Sequence, residues 1–129
     1  MSLGYAGLNG KTLDVLAKCL DEKDEDVVYF SMTAIGQIKV VESARILLDL
    51  IKRNVFSGYK IVSLLEDFPE SIVPAIFDAM KSKDERVRFW STKLLAKIKP
   101  VKYYPEVKTL TSDPSADVRG AACECLGKM

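Results

Sequence analysis

Side chains suited to holding another molecule recur along this chain at a fixed interval. Tyr29, Tyr59 and Phe89 stand 30 residues apart, and four residues beyond each come Thr33, Ser63 and Lys93. Aromatic rings offer large contact area for little lost entropy, which makes them favoured anchors where one protein meets another. Hydroxyls and an ammonium group beside them would set register through hydrogen bonds and charge. This is the chemistry of recognition. For bond-breaking chemistry the chain is poorly supplied. It has no histidine, which removes Ser-His and Cys-His catalysis, imidazole metal sites and histidine pH sensing. No phosphate loop or nucleophile elbow occurs, and carboxylates such as Glu66 and Asp67 stand without a recognisable catalytic partner. The three cysteines are Cys19, Cys123 and Cys125. An odd number with no C-x-x-C pair argues against a disulfide framework and fits a reducing compartment. On a helix, Cys123 and Cys125 point roughly 200° apart and cannot jointly grip a metal. They read as small buried side chains. The expectation is a non-enzymatic protein with no catalytic, cofactor-binding or metal-ligating residues and no cofactor.

The charge balance narrows the partner class. Nineteen basic and eighteen acidic residues give a formal net charge of +1, which withholds the broad electrostatic drive of a dedicated nucleic-acid binder. A local basic tint remains in Arg86, Arg88, Lys93 and Lys97, extended by Lys99 and Lys102. It could meet a phosphate or an acidic peptide, or be a solvated helix face. The mixed-sign runs DEKDED (21–26) and KSKDER (81–86) read as solvated turns. No apolar run is long enough to span a bilayer, and the first residues carry neither the basic start nor the apolar stretch of a secretory signal. A cytoplasmic location is expected.

The elements that must position these residues form a repeat. After each polar turn come DEDVVYFSMTAIG (24–36), NVFSGYKIVSLLE (54–66), DERVRFWSTKLLA (84–96) and SADVRGAACECLG (115–127), with starts 30, 30 and 31 residues apart. Each opens on a residue able to cap a helix, namely Asp24, Asn54, Asp84 or Ser115. Counting from Val27, Ser57, Val87 and Val118, the apolar or small residues fall at offsets four, seven and eight, one helical stripe. Offset two, which carries Tyr29, Tyr59, Phe89 and Gly120, points away from that stripe. Offset three, Phe30 and Trp90, lies at its edge and is expected to pack. Upstream of each second helix lies another stripe: Leu13/Leu16/Leu20, Ile46/Leu47/Leu50, Val73/Ile76/Met80 and Tyr104/Val107/Leu110. Pro74 and Pro105 each fall thirteen residues before a reference valine, early in the first helix, where a missing N–H costs little. Gly36, Pro69, Pro100 and Gly127 punctuate the ends. No stretch alternates with period two, so no sheet is expected.

Two-helix units of this length, each burying a face on the next, make an α-solenoid. The predicted fold is all-α, with about four repeats at roughly 11–38, 42–68, 71–99 and 103–129 in a single domain. SIVPAIFDAMKSKDERVRFWSTKLLAKI and YYPEVKTLTSDPSADVRGAACECLGKM resemble HEAT repeats of the short, lyase-type bacterial and archaeal kind. The matching elements are a proline in the first helix, an Asp-Pro or Asp-Glu turn, Val-Arg opening the second helix, a small residue four later, and a closing Leu-Gly. The second unit departs from the pattern, with Ser57-Gly58 in place of Val-Arg.

The resemblance implies a right-handed superhelix whose second helices line a concave surface that holds partners. It also implies a structural ladder between turn aspartates and second-helix arginines: Asp84 with Arg88, and Asp113 or Asp117 with Arg119. Val28 and Gly58 replace the arginine earlier on, so the ladder should be broken in the first half. LGYAGLNGK (3–11) reads as the tail of a preceding second helix plus its turn. That suggests a piece of a longer repeat protein, although a stand-alone solenoid fits as well.

The leading functional expectation is a scaffold binding a protein or peptide along Tyr29, Thr33, Tyr59, Ser63, Phe89 and Lys93. Stacking of the three rings between repeats is the competing reading. Two further readings rest on the fold resemblance: a glycosylase-like nucleic-acid-binding domain, which the near-neutral charge disfavours, and an accessory role like that of lyase-type HEAT proteins acting on bilin-bearing proteins.

Overall fold

The computed structural model describes residues 2–54, 56–98 and 101–129, with side chains from residue 10 onward. Eight α-helices account for most of the described residues, and none of those residues forms a strand. They are α1 (Ser2–Cys19), α2 (Glu25–Gln37), α3 (Val41–Leu50), α4 (Gly58–Leu65), α5 (Val73–Met80), α6 (Glu85–Ile98), α7 (Tyr104–Thr109) and α8 (Ala116–Lys128). The helices pair as α1/α2, α3/α4, α5/α6 and α7/α8. The second helices pack on one another in the series α2–α4–α6–α8, and α3 packs on α5 in the layer behind. The architecture is an all-α solenoid of HEAT-like repeats.

Capping residues set the start of each second helix. Asp24 accepts from the backbone N–H of Asp26 at 2.9 Å, and Asp84 from that of Arg86 at 2.8 Å. Ser115 accepts from the N–H of Val118. Each satisfies a donor that the first helical turn leaves free. The second unit departs from expectation. Asn54 does not cap; it closes the short 3-10 turn Ile51–Arg53 with φ 55°, a left-handed conformation that asparagine tolerates better than most residues. The cap is Ser57, which accepts from the N–H of Lys60, so α4 begins three residues late. Pro74 and Pro105 take the second positions of α5 and α7.

The core runs through all four units, with Ile35, Leu47, Ile61, Leu65, Ile76, Leu94, Leu95 and Val107 among its buried members. In α6 the buried set contains the anticipated Val87, Ser91, Leu94 and Leu95. In α2 the anticipated Ser31 and Ile35 are buried and Ala34 is partly so, but the first residue of the stripe changes. Val27 is 37% exposed, while Val28 and Met32 are buried. Phe30 is 68% exposed, against the expectation that it packs. Tyr104 is likewise exposed, and its neighbour Tyr103 meets Phe77 edge-on at 4.6 Å.

Two expectations about ends also change. Residues 3–11 lie within the uninterrupted helix α1, so no turn separates them from the remainder of that helix. Gly36 does not end its helix. It is buried in the last turn of α2, where a Cβ would stand 3.2–3.4 Å from Leu64 of α4, so its small size sets how closely the two helices approach. Pro100 and Lys99 lie outside the described residues.

Arginines tie successive turns together, but by a different pairing from the one expected. Arg88 grips Asp113 of the next unit with two hydrogen bonds, Nε–Oδ2 at 3.0 Å and Nη2–Oδ1 at 3.2 Å. Its Nη1 also donates to the carbonyls of Ser82 and Lys83. Asp113 is buried and Arg88 nearly so. The anticipated partner, Asp84, instead faces Arg86. Arg119 repeats the carbonyl contacts of Arg88 on Asp113 and Pro114, and Asp117 is an exposed first-turn acid of α8 with no part in these contacts. The first half, expected to lack rungs, has substitutes. Arg53 donates to the carbonyl of Leu20 and pairs with Asp21 at 3.0 Å, and Arg86 donates to the carbonyl of Lys52. Position 28 or 58 need not carry an arginine when the turn supplies one.

Candidate functional site

Along the second-helix layer, two recesses lie side by side and share Tyr59. The first, of about 150 Å³, lies between α2 and α4 and is lined by Tyr29, Met32, Thr33, Tyr59, Lys60, Ser63 and Leu64. The second, of about 290 Å³, lies between α4 and α6 and reaches α8. Its lining includes Tyr59, Phe89, Trp90, Lys93, Lys97, Glu124 and Lys128. The structure therefore brings all six sequence-derived candidates to the linings of two adjacent recesses that share Tyr59. Tyr59 stands between the recesses at 63% exposure, with Tyr29 at 37% on one side and the half-buried Phe89 on the other.

The rings are held individually. Tyr29 meets Phe30 and Phe56 edge-on at 5.8 and 5.7 Å, and Phe89 meets Trp90 edge-on at 4.9 Å. Among the described residues, no ring contact joins Tyr29 to Tyr59 or Tyr59 to Phe89. The hydroxyls of Thr33 and Ser63 donate to carbonyls of their own helices, those of Phe30 and Tyr59. What they present to the groove is acceptor capacity.

Trp90 anchors the middle of the site. Its indole lies flat against the first residue of α4: a Cβ on Gly58 would come within 3.0 Å of Nε1, Cδ1 and Cε2. This close approach accounts for Ser57-Gly58 in the second unit, since any side chain at position 58 would occupy the space of the ring. The residue at the same position in the first unit, Phe30, instead projects into solvent. Phe89 and Trp90 thus divide the outward and inward roles in one way, and Tyr29 and Phe30 in the other.

Lysines surround the aromatic floor. The Lys60 ammonium lies 5.1 Å from the centre of the Tyr29 ring, and that of Lys93 lies 5.8 Å from Phe89, within cation–π range. Lys93 also binds Glu124 at 2.8 Å, and Lys97 binds Glu66 at 2.9 Å. The hydrogen bond and charge of Lys93, followed by the charges of Lys128 and Lys97, hold the Glu124 carboxyl below its ordinary range. The Lys97 ammonium is held above its ordinary range by its bond to Glu66 and that residue's charge, with smaller contributions from Tyr59 and Glu124. Lys97 was legible as part of the basic tint of the third unit, whereas nothing beyond a place in the last helix marked Glu124 and Lys128. Lys60 shares offset three with Phe30 and Trp90, and nothing in its spacing marked it as a groove residue.

The arrangement has the parts of a binding surface: exposed rings, flanking cations and two adjacent recesses. Among the described residues, no group of three acidic or cysteine side chains could hold a metal ion, and no helix is long and apolar enough to cross a membrane.

Fold and groove together define a helical-repeat scaffold. The sequence profile described as HEAT repeats matches residues 58–127, more than half of the chain, and the chain belongs to the HEAT-repeat family. HEAT repeats generally mediate protein interactions as scaffolds and are typically non-catalytic. None of the curated proteins compared with the chain matches it.

Proposed function

We propose that this protein is a non-enzymatic scaffold that holds a protein or peptide segment in the groove along its second helices. The observation that carries this reading is Tyr59, a large aromatic left 63% exposed at the junction of two recesses. Exposed aromatics flanked by polar groups are the usual energetic centres of interfaces. Tyr29 and Phe89 supply apolar area on either side, while Thr33, Ser63 and Lys93 set register. The core does not need the Tyr59 ring, so its removal should leave the fold intact.

The test is selection of short peptides from a random displayed library against the full chain, followed by NMR mapping of the selected sequences. Signals of Tyr29, Tyr59, Ser63 and Phe89 should move, and Tyr59→Ala should weaken binding by about tenfold or more, ~1.4 kcal/mol. Peptides that move signals only on α3, α5 and α7 would place recognition on the opposite layer and end this reading. The nucleic-acid alternative is met in the same series. A duplex oligonucleotide binding at low salt, with steep loss as salt rises, would revive it.

A further inference from the structure

The proposed groove has a charge character that the chain as a whole lacks. The protein is close to neutral, with nineteen basic and eighteen acidic residues. The two recesses are lined by four lysines, Lys60, Lys93, Lys97 and Lys128, and one carboxylate, Glu124. Glu66 adds a second carboxylate just outside, bound to Lys97. Among the described residues, neither Lys60 nor Lys128 has a carboxylate within 4.0 Å. The cations converge on one place: Lys93 holds Glu124 directly, with Lys97 and Lys128 near enough to act on the same carboxyl. The protein's own Glu124 thus shows what this end of the groove attracts.

Resting on the scaffold reading above, we infer that the groove is specific for an acidic peptide segment in which two apolar side chains flank carboxylates. One apolar side chain enters between Tyr29 and Tyr59, and the other between Tyr59 and Phe89 against Trp90. The carboxylates between and beside them meet Lys60 at one end and Lys97 and Lys128 at the other. Neighbouring helices pack about 8–10 Å apart, so the two recesses are separated by about that distance. A polyproline II segment returns a side chain to the same face every third residue, about 9 Å along its axis. An apolar residue, two intervening residues of which at least one is acidic, and a second apolar residue would fit this spacing. A nucleic acid matches less well, because Glu66 and Glu124 interrupt the cations and would repel a continuous phosphate backbone.

Peptides selected at random against the full chain supply the test, with Tyr59→Ala and the charge reversal Lys97→Glu with Lys128→Glu as variants. All three positions are exposed, and circular dichroism checks the fold. The inference expects selected sequences rich in glutamate and aspartate with apolar residues three apart. It also expects about tenfold weaker binding to the charge-reversed protein, ~1.4 kcal/mol, and recovery when the peptide's acids are changed to lysine. Peptides that depend on Tyr59 but show no acidic bias and ignore the lysine changes would overturn this inference and leave the scaffold reading standing. Peptides indifferent to Tyr59→Ala, or failure to select any, would overturn both. A single-stranded oligonucleotide that competes at these lysines and binds more tightly than the best peptide would replace the acidic peptide as ligand.

Discussion

Replacing glycine by alanine in a helix with ordinary backbone angles is among the most dependable ways to stabilise a protein. The gain is about 0.4–1 kcal/mol, because the unfolded chain loses freedom. Gly58 should break that rule. No described glycine has positive φ, so its backbone raises no objection to a side chain. The objection is the indole of Trp90, whose Nε1, Cδ1 and Cε2 would all lie within 3.0 Å of the new Cβ. An indole is rigid and packed against the core, so it cannot swing aside as the tip of a lysine would. Overpacking of this kind costs about 1–3 kcal/mol. After subtraction of the entropic gain, Gly58→Ala should be less stable by about 1–2 kcal/mol. In a chain of this size that lowers the melting temperature by about 4 °C per kcal/mol. Trp90→Ala removes the obstacle at its own cost of about 3 kcal/mol. In that background Gly58→Ala should become stabilising, giving a coupling of about 2 kcal/mol between the two positions. Urea denaturation followed by far-UV circular dichroism measures all four proteins. Because Trp90 is the only tryptophan, its fluorescence in the Gly58→Ala protein reports the contact directly. If Gly58→Ala stabilises the otherwise unchanged protein, or shifts both backgrounds equally, the account of this junction is wrong.

Other expectations concern separate parts of the molecule. Asp113→Ala strands the nearly buried Arg88 guanidinium and should cost about 3 kcal/mol by urea denaturation, whereas Asp21→Ala at the exposed Arg53 pair should cost under about 1 kcal/mol. Glu124 titrates below the ordinary carboxylate range because of Lys93, so its small contribution to stability is present above the unfolded-state pKa and lost as pH falls through the folded-state value. Side-chain carboxyl NMR shifts track it, and Lys93→Met should move its midpoint upward. Towards a thiol reagent under native conditions, exposed Cys123 should react first. Cys125, buried and with its thiol pushed up by burial, should react only on unfolding, as a timed absorbance assay would show.

Periodicity conveyed the number of helices and the pairing into units, because caps and stripes are local features. Asp24, Asp84 and Ser115 could be read as caps from their neighbours alone. Asn54 misled because it occupies the cap register, while its tolerance of left-handed angles lets it end a 3-10 turn and hands the cap to Ser57. Phe30 and Trp90 look equivalent at matching offsets, yet one is exposed and the other packs. The difference lies in what each ring meets: Trp90 lies over the bare backbone of Gly58, a neighbour that its own helix does not announce. The rungs were misassigned for a related reason. Arg88 has Asp84 four residues away and Asp113 twenty-five away, and only the stacking of units decides between them. The groove residues were legible as a series of outward offsets. That Tyr59 separates two recesses, and that lysines from α4, α6 and α8 converge beside them, depends on inter-helix geometry that spacing cannot express.

The fit of Trp90 over Gly58 bears on how this array could grow or be rearranged. A repeat protein built from interchangeable parts can be lengthened by duplicating one part. Here a second copy of residues 71–99 placed after the first would lay its indole over the side chain of Arg88 instead of over a bare backbone. The duplicate would have to lose the tryptophan or its predecessor the arginine. The units at this junction are matched partners with a fixed order, and a redesigned or shuffled version would need to carry the second and third together as one inheritable piece.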